Sequence, residues 1–129
     1  GEAARLLNGT EIFASIDIQQ DRFDAIRKLH TLFSNGESCV VVLKGCGTLI
    51  FDGQVMKVNN LGNASMATPG MGDVLSGICI GLMTQDITIT EAVELSVCLH
   101  AAAADCIAKD KTRGLLASDV VTALPKVLH

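Results

Sequence analysis

The sequence predicts an α/β fold. Three observations lead there. A continuous β-branched run, Cys39-Val40-Val41-Val42-Leu43, follows an amphipathic helical pattern. A Gly/Asn-rich loop at 59–72 leads into an apolar segment of helical length. Two further helical patterns close the chain, so strand and helix signals alternate rather than segregate.

Each element has its own warrant. Residues 1–8 carry a short helix or helix start. Residues 17–34 predict an amphipathic helix, with Ile18, Phe23, Ile26, Leu29 and Phe33 on roughly one face and Asn35-Gly36 as its stop. The run at 39–43 has the pattern of a strand covered on both faces, as in a parallel sheet. Thr48–Phe51 and Val55–Val58 flank Asp52-Gly53, a hairpin turn signal. Asp73–Thr84 predicts a helix that is apolar nearly all round and therefore buried. Thr88 and Glu91 have capping-box spacing and open a helix running to about Ala108. Ser118 is a candidate cap for a last helix from Asp119 to about Leu128, with Pro125 inside it.

Composition removes several functions. The chain has 129 residues, which suits one domain. Its 49% apolar content excludes intrinsic disorder and is high for a freestanding domain of this size, so the chain reads as part of a larger domain or as burying one face in a partner. Ten basic against 14 acidic residues, with no basic cluster, leave no footprint for nucleic acid. Trp and Tyr are absent, and four Phe offer little for base stacking. No stretch is long enough to span a bilayer. Five cysteines without CxxC spacing make neither a disulfide framework nor a zinc site; as free, mostly buried thiols they fit a reducing cytoplasm.

Three sets of residues are candidates for chemistry. Lys44-Gly45-Cys46-Gly47-Thr48 directly follows the β-branched strand, where ligands of open α/β sheets bind. Its glycines permit close backbone approach and Lys44 can neutralise phosphate, although the segment matches neither a Walker A loop nor a dinucleotide fingerprint. A plain tight turn with a solvated lysine is the alternative. Gly70-Met71-Gly72-Asp73 opens the apolar helix. Backbone N–H groups there make an anion site, and Asp73 can accept a hydroxyl proton; simple helix capping by Asp73 is the alternative. His30 and His129 have no partner in sequence, His100 falls mid-helix beside small apolar residues, and each reads as a packed or surface side chain.

At this point the residues resemble a known family. Asn59-x-x-Gly62-Asn63-x-x-Met66-Ala67-x-x-Gly70-x-Gly72-Asp73 closely resembles the signature of the NAD(P)H-hydrate dehydratases, members of the ribokinase-like superfamily. Gly1-Glu2-x-x-Arg5-Leu6, Val41-Val42-Leu43-Lys44-Gly45-x-x-Thr48 and Thr112-Arg113-Gly114-x-Leu116-Ala117-x-Asp119 are similar to further family segments, in the family's order. Pro69 departs from the glycine often found there.

The resemblance implies a ribokinase-like three-layer αβα sandwich, of which residues 1–129 are the C-terminal half of one dehydratase domain. It implies dehydration of hydrated NADH and NADPH (NADHX, NADPHX) through phosphorylation and loss of phosphate. ADP or ATP is the phosphoryl donor and Mg²⁺ the cofactor. By carry-over, Lys44 to Thr48 and Gly72 contact the adenine nucleotide, and the two motifs meet at it. Gly70, Met71 and Gly72 form the anion hole. Asp73 is the catalytic base and touches substrate with Asn63, and Glu2 is a metal-site candidate. Fusion or pairing with an NAD(P)H-hydrate epimerase, homo-oligomerisation and a cytoplasmic location are further implications. A ribokinase-like kinase of a thiazole or pyrimidine alcohol, or a non-catalytic nucleotide-binding module, are the competing expectations. The isolated 129 residues are expected to be inactive.

Overall fold

The computed structural model describes residues 21–108 and 114–128. The expected helix at 1–8, Glu2, Ile18, His129 and part of the 112–119 segment lie outside the described residues. The chain divides into two compact units, 1–58 and 59–129.

In the first unit, helix α1 spans Arg22–Ser34. Asp21 caps it, its Oδ1 accepting from the Asp24 N–H at 2.9 Å. Asn35 ends it in the left-handed conformation that asparagine tolerates. Three strands follow: β1 (Val41–Leu43), β2 (Thr48–Phe51) and β3 (Met56–Asn59), in the order β1-β2-β3. Ala25, Ile26 and Leu29 pack on Leu43 and Leu49, with Val41, Phe51 and Met56 at the margin. Each fully buried Ile or Leu contributes about 1.5–3 kcal/mol, so this small core suffices to seat the helix on the sheet.

Two expectations for this unit need correction. Among the described residues the pairing of the β-branched run is antiparallel: β1 runs antiparallel to β2, with Val41 opposite Phe51 and Leu43 opposite Leu49. Of the run, Leu43 is buried while Val41 and Val42 are only partly covered. A β-branched run shows affinity for a pleated surface, not the direction of its neighbour. Phe23 and Phe33 are about half exposed. Phe23 lies ~60° around the helix from Ile26. Phe33 shares the azimuth of Ile26, but α1 is about 20 Å long and β1 about 10 Å, so the last turn overhangs.

The hairpin connection is 52–55, one residue longer than expected, because β3 begins at Met56 rather than Val55. Asp52 Oδ1 accepts from the N–H groups of Gln54 (2.9 Å) and Val55 (2.8 Å). Those bonds, Val55 first, hold the Asp52 carboxyl below its ordinary value. His30 is a packed histidine. Its Nε2 lies 3.1 Å from the Cys39 carbonyl and its ring meets Phe51 edge-on at 5.1 Å.

The second unit is helical. A 3-10 turn at Ala64–Met66 interrupts the predicted loop. Helices α2 (Met71–Met83), α3 (Ile89–Ala108) and α4 (Ala117–Val127) follow. Met71, Ala103, Ala104, Leu115, Val120 and Ala123 form the core, and the alanines of α3 let its neighbours approach closely. The Thr88–Glu91 capping box is present: the Thr88 N–H donates to Glu91 Oε2 (2.8 Å), and the Glu91 N–H to Thr88 Oγ1 (3.2 Å).

Three more expectations change here. Helix α2 is buried on one side only. Met71 and Leu75 are covered, whereas Ile80 is 66% exposed and Met83 47%. A helix apolar all round needs cover on two sides, and among the described residues its core contacts lie on one. Ser118 lies inside α4; Leu116 is the cap residue, its N–H donating to Asp119 Oδ2 at 3.0 Å. The N3 carboxylate does the capping that the hydroxyl was expected to do. None of the five thiols is fully buried, and Cys46 and Cys98 are exposed. Cys46 sits on a loop and Cys98 on the open side of α3. Among the described residues no helix is long and apolar enough to cross a membrane.

Candidate functional site

Each candidate motif lies in its own unit, and each has a definite local cause. The Lys44–Thr48 segment is the connection between β1 and β2. Lys44, Gly45 and Cys46 are exposed, and Thr48 Oγ1 donates to the Gly45 carbonyl at 3.3 Å. The segment is held from beneath by Arg22, the first residue of α1. Arg22 Nη1 donates to the carbonyls of Cys46 and of Gly47 (3.0 Å), and Nη2 to that of Leu43 (3.0 Å). Gly45 approaches this guanidinium closely: a Cβ there would stand 2.9 Å from Arg22 Nη2, at a φ of +150°. The positive φ favours glycine there, and a larger residue would also push the guanidinium aside. The sequence reading missed Arg22. Its sole signal was an arginine in the first turn of a helix, where a cation opposes the helix dipole and so needs another reason to be there.

The second motif opens α2. Gly70 is its N-cap, at a φ of +86°. A Cβ on Gly70 would stand 3.2 Å from Ala117 Cβ, so the start of α4 backs the helix mouth. The Gly70 carbonyl accepts from the Val74 N–H at 3.1 Å, which begins the helical ladder. The Met71 N–H is directed back to the Thr68 carbonyl at 3.4 Å. Helix geometry leaves the N–H groups of Gly72 and Asp73 without an intrahelical acceptor. Asp73 is the third helical residue, and its side chain is exposed. The N-cap is Gly70, so Asp73 is not itself the N-cap, although an acid in the first turn also favours the helix dipole. The helix start presents N–H donors and an exposed carboxylate side by side, an arrangement able to receive an anion and a proton.

The loop before this helix is pinned by a residue the sequence reading also missed. Asp105 of α3 accepts from the Gly62 N–H through Oδ2 (2.8 Å) and from Asn63 Nδ2 through Oδ1 (2.6 Å). Asn63 Oδ1 in turn accepts from the Ser65 N–H at 3.0 Å, capping the 3-10 turn. Both ends of the Asn63 amide are therefore engaged within the protein. Among the described residues no group of three His, Cys, Asp or Glu side chains could hold a metal ion. Mg²⁺ is commonly held by one or two carboxylates and the phosphates of its nucleotide, so a protein cage is not required.

Comparison with known proteins agrees with the resemblance. The family model of the NAD(P)H-hydrate dehydratases matches residues 1–126. The bifunctional NAD(P)H-hydrate repair enzyme Nnr of Vibrio cholerae is 47% identical over 129 residues, covering 99% of this chain and 24% of that protein. The ADP-dependent (S)-NAD(P)H-hydrate dehydratase of Neisseria meningitidis is 42% identical over 125 residues, covering 95% of this chain and 40% of that one. A crystal structure of the ADP/ATP-dependent NAD(P)H-hydrate dehydratase of Bacillus subtilis, co-crystallised with ATP/Mg²⁺ and soaked with CoA, superposes with a TM-score of 0.85 at 26% identity. It covers 98% of this chain and 46% of that one. A ribokinase-like superfamily protein of Enterococcus faecalis aligns with a TM-score of 0.71 at 30% identity, covering 86% of this chain and 37% of that one. The chain thus spans about a quarter of the bifunctional relative from Vibrio cholerae and under half of the two solved structures. With the motifs in order, the fold matched and the family model covering nearly every residue, the chain belongs to the NAD(P)H-hydrate dehydratase family and has its ribokinase-like α/β fold.

Proposed function

We propose that this chain is the C-terminal part of a dehydratase domain that returns hydrated NADH and NADPH to NAD(P)H at the expense of ADP or ATP. The observation that carries the reading is the opening of α2: Gly70 in the left-handed conformation, N–H donors behind it, and Asp73 exposed at the third helical position. The hydroxyl on the hydrated ring would lose its proton to Asp73 as its oxygen takes the terminal phosphoryl group, whose phosphoanhydride bond breaks to release AMP from ADP or ADP from ATP. The N–H groups at the helix start, from the Gly70–Gly72 segment, would stabilise charge on that group in transit. Phosphate would then leave with its bonding electrons, a proton would leave the adjacent ring carbon, and the ring double bond would re-form. Phosphate departs far more readily than hydroxide, so a kinase-like site serves a dehydration.

Lys44 to Thr48 and Gly72 would contact the adenine nucleotide. Asn63, its amide held by Asp105 and the Ser65 N–H, would shape the loop beside the substrate. Mg²⁺ would accompany the nucleotide phosphates and neutralise part of their charge, with Glu2 as a candidate ligand outside the described residues. The bifunctional relatives support an epimerase partner domain. A homo-oligomer in the cytoplasm completes the proposal.

Product analysis tests it. The whole protein, given the hydrate, ADP or ATP, and Mg²⁺, should release free phosphate and NADH in equal amounts. A stable phosphorylated product from an alcohol substrate, with no NADH formed, would instead establish a small-molecule kinase.

A further inference from the structure

We infer that Arg22 is a positioning residue for the nucleotide: it sets the polarity of the Lys44–Thr48 loop. This inference rests on the nucleotide-handling role proposed above. One guanidinium gathers three carbonyls of a single turn, those of Leu43, Cys46 and Gly47. Across a trans peptide the carbonyl and the following N–H point in opposite directions. Drawing the Cys46 and Gly47 carbonyls toward Arg22 therefore turns the N–H groups of Gly47 and Thr48 the other way. Successive N–H groups presented together make an anion-binding concavity, and withdrawing the carbonyl oxygens removes the negative ends that would repel an anion. The loop gains this polarity from a residue 21 to 25 positions earlier in the chain.

Two observations say that the clamp serves the loop's shape more than the stability of the fold. The Arg22–Cys46 bond is solvent-exposed and those to Gly47 and Leu43 are only part-buried, so water can replace the guanidinium at Cys46 when it is removed. Arg22 also occupies a helix N-terminus, where its charge is unfavourable to its own helix. The planar fork of arginine reaches separate carbonyls at once; lysine, a point charge on a flexible stem, cannot hold all three.

The test uses the whole protein with Arg22→Ala, Arg22→Lys and Arg22→Gln. ADP–Mg²⁺ affinity is read by calorimetry, and KM for nucleotide and for hydrate by steady-state kinetics. Loss of charge-assisted bonds predicts that Arg22→Ala weakens ADP about tenfold or more and raises the nucleotide KM in step. The hydrate KM should stay within about twofold of wild type. Arg22→Lys should recover part of the loss. Where Arg22→Ala fails to fold, Arg22→Gln, which keeps two N–H donors, decides by the same criteria. ADP affinity within about twofold of wild type in the variants, or nucleotide and hydrate KM rising together, overturns the inference. A wild-type protein that binds ADP, with an affinity the Arg22 variants lose, yet dehydrates nothing overturns the functional reading and leaves the loop assignment standing. A wild-type protein that does not bind ADP overturns both.

Discussion

Replacing Asp105 by Asn puts a donor where the protein supplies only donors. Asp105 Oδ2 accepts from the Gly62 N–H at 2.8 Å, and Oδ1 from Asn63 Nδ2 at 2.6 Å. An asparagine keeps the shape but turns one of these acceptors into an NH₂ group. If the NH₂ faces Gly62, two donors meet and that bond is lost. If it faces Asn63, the Asn63 amide can flip to accept from it. Asn63 then presents its own NH₂ to the Ser65 N–H, which it now caps through Oδ1 at 3.0 Å. The mismatch moves along the chain and is never removed. A hydrogen bond to a charged group is worth about 1.5–3 kcal/mol; at a half-buried site the expected loss is about 1–3 kcal/mol. In a whole domain larger than these 129 residues each kcal/mol lowers Tm by about 2–4 °C. Urea unfolding gives the free energy, and amide hydrogen exchange at Gly62 and Ser65 locates the damage. An Asp105→Asn protein as stable as wild type, with Gly62 and Ser65 exchanging no faster, would refute the reasoning.

Two further outcomes follow from local geometry. Gly70→Ala places a Cβ at a φ of +86° and 3.2 Å from Ala117 Cβ, so it should cost about 1–3 kcal/mol and misplace the start of α2; an alanine variant matching wild type in urea midpoint contradicts this. Bonds from the Thr88 side chain and N–H hold the Glu91 carboxyl below its ordinary value of 4.5. The folded value being the lower one, the stability this carboxylate adds is complete above the unfolded value and is lost as pH falls through the folded value. Acid titrations of stability for wild type and Glu91→Gln should therefore converge below that range, and a gap unchanged at low pH would contradict the assignment.

What the sequence disclosed was mostly local. The Thr88–Glu91 box joins residues three apart, the Asp52-Gly53 turn is satisfied within its own loop, and Gly70-x-Gly72-Asp73 announces a helix opening through residue type alone. Arg22 and Asp105 were not visible because their partners lie 21 to 25 and 42 to 43 residues away. Nothing in an isolated arginine or aspartate says which turn it will reach. The direction of β1 was misjudged for a similar reason. Val40, Val41 and Val42 report that a pleated surface is wanted, while the antiparallel partner is set by the short connection to β2. Helix α2 shows the limit of composition: its apolar residues ask for cover on every side, but the described residues provide it on one, at Met71 and Leu75.

Asp73 carries the central claim, because the proposed chemistry needs its carboxylate. The side chain is exposed and is not the cap of its helix. The most direct measurement is turnover of the hydrate to NADH by the whole protein with Asp73→Asn, alongside its unfolding midpoint. Loss of a general base predicts a fall of about 10²–10⁴ in turnover with the midpoint nearly unchanged. An asparagine variant that regenerates NADH at the wild-type rate would contradict the account.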